Sequence, residues 1–181
     1  MALLVDESGS MSCADRITRA RAASLIVYDF CRSLGIPILI AGHTEIGHTV
    51  HIYSYAEFDA RDNNDRYRLM DLSARSDNRD GAALRYTAER LLRRPEEVKL
   101  LLTISDGQPC ASRYYGTEAE ADLRGIKREM TNRGVTIFAA AIGEDKDSIE
   151  RIYGDGFLDI SNLDDLPVSL TRLIAQRIRR R

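Results

Sequence analysis

The 181 residues contain no tryptophan, only four prolines and three cysteines, and no excess of either charge. Each scarcity excludes something. Lys and Arg number 26 against 28 Asp and Glu, a formal net charge of -2, so no global positive field draws the chain to nucleic acid or to an anionic membrane. Cys13, Cys31 and Cys110 are odd in number, widely spaced and without a C-x-x-C pair, which excludes a disulfide framework or a zinc ribbon. That usage suits a reducing cytoplasm. No apolar stretch approaches the ~20 residues of a membrane span, and no basic segment precedes an apolar one at the start. Glycine and proline stand at background levels, so collagen-like and low-complexity classes are out. What remains is 44% hydrophobic and 30% charged, enough apolar side chain for the core of one ordinary domain.

Short aliphatic runs recur along the chain: Ala2 to Val5, Ile36 to Gly42, His48 to Tyr55, Val98 to Ser105, Val135 to Gly143, and a weaker one from Gly156 to Ile160. They are continuous rather than alternating, the mark of strands covered on both faces, as in a parallel sheet between helices. Between them, Ala14 to Leu34, Gly81 to Arg94, Glu118 to Arg133 and Leu166 to Arg179 carry apolar residues at helical spacing, and a short element fits Lys146 to Tyr153. Only "HTEIG" separates the second and third runs, too little for a crossover, so these two should pair as an antiparallel hairpin at one edge. On this reading His43 falls in the turn. The expected fold is an open, doubly wound α/β sheet, whose ligands sit beyond the carboxyl ends of strands where the strand order reverses.

Two strand ends there are acidic. "LLVDESGSMS" places Asp6, Ser8 and Ser10 directly after the first run, and "LLLTISDGQP" places Asp106 after the fourth. A carboxylate and two hydroxyls at alternate positions offer hard oxygen ligands suited to Mg²⁺ or Mn²⁺. The plainer alternative is that Ser10 or Ser12 caps the following helix while Asp6 favours its positive end. A third loop, "SDNRDGAAL", brings Asp77, Asn78 and Asp80 to the start of the next helix, where each serves equally as cap or ligand.

Taken together, "DESGSM", "TISDG" and the Gly-Ala-Ala-Leu helix resemble a von Willebrand factor type A (vWA) domain with its metal-ion-dependent adhesion site. "RDGAALRYTAERLL", "SDGQP", "YYGTEAEADL" and "GVTIFAAAIGED" are most similar to bacterial nitric oxide reductase activation proteins and to the C-terminal domain of the cobaltochelatase CobT-type subunit. The resemblance spans essentially the whole chain. It implies a three-layer fold with a mostly parallel six-stranded sheet, its first strand central and one antiparallel strand near an edge. It also implies a single domain, 1–181, taken from the C-terminal part of a longer protein.

Residue by residue, Asp6, Ser8, Ser10 and Asp106 match the family's ligands for Mg²⁺, with Mn²⁺ or Ca²⁺ as substitutes. The family's middle-loop threonine has no counterpart here; alignment puts Asn78 at its place, and Asp80 is the better oxygen donor. The implied function is non-enzymatic: a protein partner supplies an acidic residue to the ion, within an accessory protein that works beside a MoxR-type AAA+ ATPase in activating or metallating a target enzyme. Tyr114 and Tyr115 fall on the same rim as a possible partner surface. A Mg²⁺-dependent phosphohydrolase using Asp6 is the alternative, weakened because Ser8 stands where such enzymes carry a second acid. The terminal Arg177, Arg179, Arg180 and Arg181 read as a complement to the last helix's dipole.

Overall fold

A computed structural model describes residues 1–60, 62, 64–107, 109–142, 146–160 and 162–179 of the chain. Gly143, Arg180 and Arg181 of the expectations above lie outside these residues. The first strand, β1 (Ala2–Asp6), is buried throughout, as its uninterrupted apolar sequence requires. A 3-10 turn over Gly9–Asp15 leads into α1 (Arg16–Ser33), with Ala14 and Asp15 in left-handed backbone at the junction. Then come β2 (Leu39–Ile46), β3 (Thr49–Ala56), a single turn α2 (Asp65–Arg68), α3 (Asp80–Leu92) and β4 (Lys99–Ser105). A two-rung hairpin, β5 (Cys110–Ala111) with β6 (Tyr114–Tyr115), precedes α4 (Gly116–Asn132); β7 (Val135–Ala141), α5 (Lys146–Tyr153), β8 (Phe157–Asp159) and α6 (Leu166–Arg179) complete the chain.

The sheet runs β3-β2-β1-β4-β7-β8, with every neighbouring pair parallel except β2 and β3. Its two faces bury separate cores. Alternation along β1 sends Leu3 and Val5 toward Ala20, Ala23 and Val27 of α1 and Leu166 and Leu170 of α6; Ala2 and Leu4 pack with Ala83 and Leu84 of α3 and Leu123 and Ile126 of α4. The three-layer α/β architecture is therefore the expected one. From β1 the chain winds outward to β2 and β3, then returns to place β4 on the other side of β1, so the loops leaving β1 and β4 diverge at the switch point of the sheet.

The edge hairpin differs from expectation. β2 continues through "HTEI", and the turn is only Gly47 and His48, both at positive φ as a tight hairpin of this hand requires. His43, Thr44 and Glu45 are thus strand residues, and all three are buried. A polar strand end survives inside because a loop covers it: the Glu45 and Asp77 backbones exchange hydrogen bonds of 2.7 and 3.2 Å, and Thr44 Oγ1 donates to the Asp77 carbonyl at 2.9 Å.

Candidate metal centre

Asp6 is the last residue of β1, on the face shared with Ala2 and Leu4, and is fully buried. Its carboxylate accepts three hydrogen bonds: from the Ser8 amide at 2.7 Å, Asn78 Nδ2 at 3.1 Å and Ser105 Oγ at 3.0 Å. The three donors come from the loop after β1, the loop ahead of α3 and the last residue of β4. The Ser8 and Ser10 hydroxyls lie 3.0 Å apart, on either side of Gly9.

Asp106 follows β4. Arg16, the first residue of α1, donates from Nη1 to its Oδ2 at 2.7 Å. Asp80, the first residue of α3, is also buried and lies 3.4 Å from Nε2 of His43, which pairs across the sheet with Asp6. Among the described residues, neither ring nitrogen of His43 finds a hydrogen-bond partner.

The charges define this pocket of polarity. Burial, then the neighbouring Asp6 and Asp106 carboxylates, push Asp80 well above the usual carboxylate range. Asp106 is raised as well, by burial and then by Asp6, against the opposing pull of Ser10 and Arg16. Burial lowers His43, with Asp6 working the other way, so the imidazole is held toward its neutral form. At a separation of ~5 Å and an effective dielectric of ~20, two carboxylates repel by roughly 3 kcal/mol. Three coupled carboxylates with one guanidinium among them therefore leave an unmet demand for positive charge.

Does this donor set suit a divalent cation? Hard oxygen donors, excess negative charge and an orphaned buried imidazole beside Asp80 all fit one. Among the described residues, no three His, Cys, Asp or Glu side chains by themselves form a group able to hold an ion. The Ser8 and Ser10 hydroxyls would have to complete the shell, as the D-x-S-x-S pattern anticipates.

The middle loop separates two candidates that the sequence leaves open. Asn78 Oδ1 accepts from the Cys110 amide, which obliges the amide nitrogen to face Asp6. Asn78 is thereby a brace between the β1 and β4 loops, while Asp80 is the side chain with unbalanced charge. Tyr114 and Tyr115 also part company. Tyr114 donates to Asp122 Oδ2 at 2.8 Å, under the Arg79 guanidinium, and a side chain at Gly81 would collide with its hydroxyl. Tyr115 is exposed.

Sequence reasoning missed four residues around this centre. Ser105 adjoins Asp106 and could have been found by extending the motif one position back. Arg16 and His43 become neighbours of the acids only through folding. Glu7, inside the motif itself, turns away from the cluster: it is fully buried, accepts from Tyr55 Oη, from the Ser73 amide at 3.1 Å and from Arg75 Nε at 3.0 Å. Cys13, by contrast, is exposed on the 3-10 turn.

Residues 53–179 match the family model described as the cobalamin biosynthesis protein CobT VWA domain. Among curated proteins, the chain is 28% identical over 185 residues to the uncharacterized protein YojO of Bacillus subtilis (strain 168), covering 95% of this chain and 29% of that protein. It is 32% identical over 107 residues to the protein NorD of Brucella melitensis biotype 1, covering 58% of this chain and 17% of that one. The chain thus spans less than a third of the length of these relatives. Among solved structures, proximal thread matrix protein 1 from the mussel byssus, with a zinc-occupied MIDAS motif, superposes with a TM-score of 0.61 at 17% identity, covering 96% of this chain and 46% of that one.

Proposed function

The chain belongs to the CobT VWA-domain family, and from that premise we propose that it is a protein-interaction domain whose grip depends on a divalent cation, Mg²⁺ in the first place and Mn²⁺ or Ca²⁺ in substitution. The observation that carries the reading is the mutual influence of Asp6, Asp80 and Asp106 around the sheet's switch point, where Asp6 raises both of the others, with Arg16 paired to Asp106 alone. The zinc-occupied site of the mussel protein supports divalent-ion chemistry on this fold.

Ser8, Ser10 and Asp80 would hold the ion, with Asp6 and Asp106 supplying charge and orienting the loops. The ion, when bound, offers an open position to an acidic side chain of a partner. The chain's part is to keep the loop that bears the hydroxyls in place, through the Asp6 hydrogen bonds. Both oxygens of Asp6 are already engaged by Ser8, Asn78 and Ser105, which supports a binding role over nucleophilic turnover. Likeness to NorD and to the CobT domain supports an accessory protein that works with a MoxR-type AAA+ ATPase on a target enzyme.

The test is capture of a MoxR-type ATPase from the same genome by the immobilised chain, in Mg²⁺ and in EDTA. Binding that disappears with the chelator and returns with Mg²⁺ is expected, together with loss in a Ser8→Ala/Ser10→Ala variant. Equal capture in both buffers would remove the metal from the account.

A further inference from the structure

Among the described residues, one permanent cation stands inside the acidic cluster. Arg16 Nη1 reaches Asp106 Oδ2 at 2.7 Å and the Ser10 carbonyl oxygen at 3.4 Å. Its side chain remains 24% exposed, and its Nε and Nη2 make no hydrogen bond to a described residue. It therefore holds Asp106 and the Ser10 carbonyl with one nitrogen, and part of its side chain stays open to solvent.

Charge arithmetic gives this arrangement a purpose. Three carboxylates and a divalent ion sum to one net negative charge, which would repel an incoming acid. A fourth group, positive and fixed at the rim, brings the sum to zero and leaves the ion's local field to act. Arginine also suits a carboxylate geometrically, since its planar fork donates to both oxygens or shares them with a neighbouring cation.

Resting on the metal-dependent reading above, we propose that Arg16 determines what the loaded site accepts: it offsets Asp106 so that the ion stays attractive to an acid, and it grips the second oxygen of the carboxylate that the ion takes. The partner group is therefore a carboxylate with both oxygens free, an aspartate or glutamate side chain or a C-terminus. A neutral hydroxyl or amide gains nothing from the guanidinium. This role makes an unusual demand on a substitution. Removing Arg16 should help the ion, by deleting a neighbouring positive charge, and harm the carboxylate. A residue that merely tied α1 to the β4 loop would weaken both.

Mn²⁺ allows both to be read on the intact chain, because water-proton relaxation reports ion binding and the displacement of ion-bound water. With acetate as the probe carboxylate, Arg16→Gln should bind Mn²⁺ about tenfold tighter, while the loaded variant takes acetate about tenfold more weakly. Arg16→Lys, which keeps the charge but not the fork, should stay within about threefold of the original Mn²⁺ affinity and recover part of the acetate binding. If Arg16→Gln weakens Mn²⁺ or leaves it unchanged, or if acetate affinity does not fall, the proposal is overturned while the metal site stands. If the unmodified chain binds no Mn²⁺, the metal reading fails and takes this proposal with it.

Discussion

Asp6 and Glu7 are adjacent in the chain, both fully buried, and opposite in circumstance. Glu7 faces Tyr55, Ser73 and Arg75, so its oxygens are matched by a phenol, a backbone amide and a guanidinium. Asp6 faces Asp80 and Asp106, and its own hydrogen bonds come from neutral donors. A buried carboxylate with a full set of partners is a fastening; a buried group of carboxylates short of counter-charge is a source of strain that protonation or a cation would relieve. Glu7 fastens the very loop that carries Asn78 and Asp80: the Arg75 amide donates to the Glu7 carbonyl at 2.7 Å, and the Gly9 amide to that of Ser76.

The largest effect should come from cutting the fastening. Glu7→Ala leaves Arg75, Tyr55 and the Ser73 amide without their acceptor and is expected to cost about 3 kcal/mol of folding stability, read by urea denaturation. A loss under about 1 kcal/mol would erase the contrast between the two acids. Gly42→Ala attacks the same fastening from β2, since its Cβ would stand 2.6 Å from the Glu7 carboxyl carbon; roughly 2 kcal/mol should be lost.

On the acidic side the sign reverses. Asp80→Asn relieves like-charge repulsion, so the metal-free protein should gain about 1 kcal/mol near neutral pH while its Mg²⁺ affinity falls steeply in calorimetry. The pH dependence follows from the same shifts. Asp80 and Asp106 hold protons more tightly when folded than the ordinary carboxylate value of 3.8, so the folded state carries more protons than the unfolded one above that pH. Their contribution to stability therefore falls as pH rises from about 4 through their raised values. Denaturation series in EDTA should show the advantage of Asp80→Asn growing with pH; a constant difference would mean that the carboxylates are not coupled. Saturating Mg²⁺ should flatten that dependence. Smallest in stability, within about 0.5 kcal/mol, should be Ser10→Ala, an exposed hydroxyl whose loss is expected to lower metal affinity about tenfold.

The sheet was readable because continuous runs such as "LLLTIS" have one stable home, between two helical layers. The extension of β2 was not, since "HTE" looks like turn composition and is kept in strand by the Asp77 backbone more than thirty residues away. At the site, Asp6, Ser8, Ser10 and Asp106 stood out by spacing from each strand end. The division of labour between Asn78 and Asp80 rests on one amide orientation, set by the Cys110 N–H, and no local pattern carries it. Glu7 was hidden for the same reason: its partners lie 48 to 68 positions along the chain.

The small hairpin of β5 and β6 is pinned at its base by Asn78 against Cys110 and by Tyr114 against Gly81, whereas Tyr115 projects into solvent. The hairpin is thus tied directly to the loop that carries Asn78, whose amide group bridges Cys110 and Asp6, and its tip is held by Arg79, which donates to the Ser112 carbonyl at 2.8 Å. Of the two hairpin tyrosines, only Tyr115 is free of that bracing, so a change of side chain there would alter what the rim presents to solvent and leave the fastening of the loop untouched.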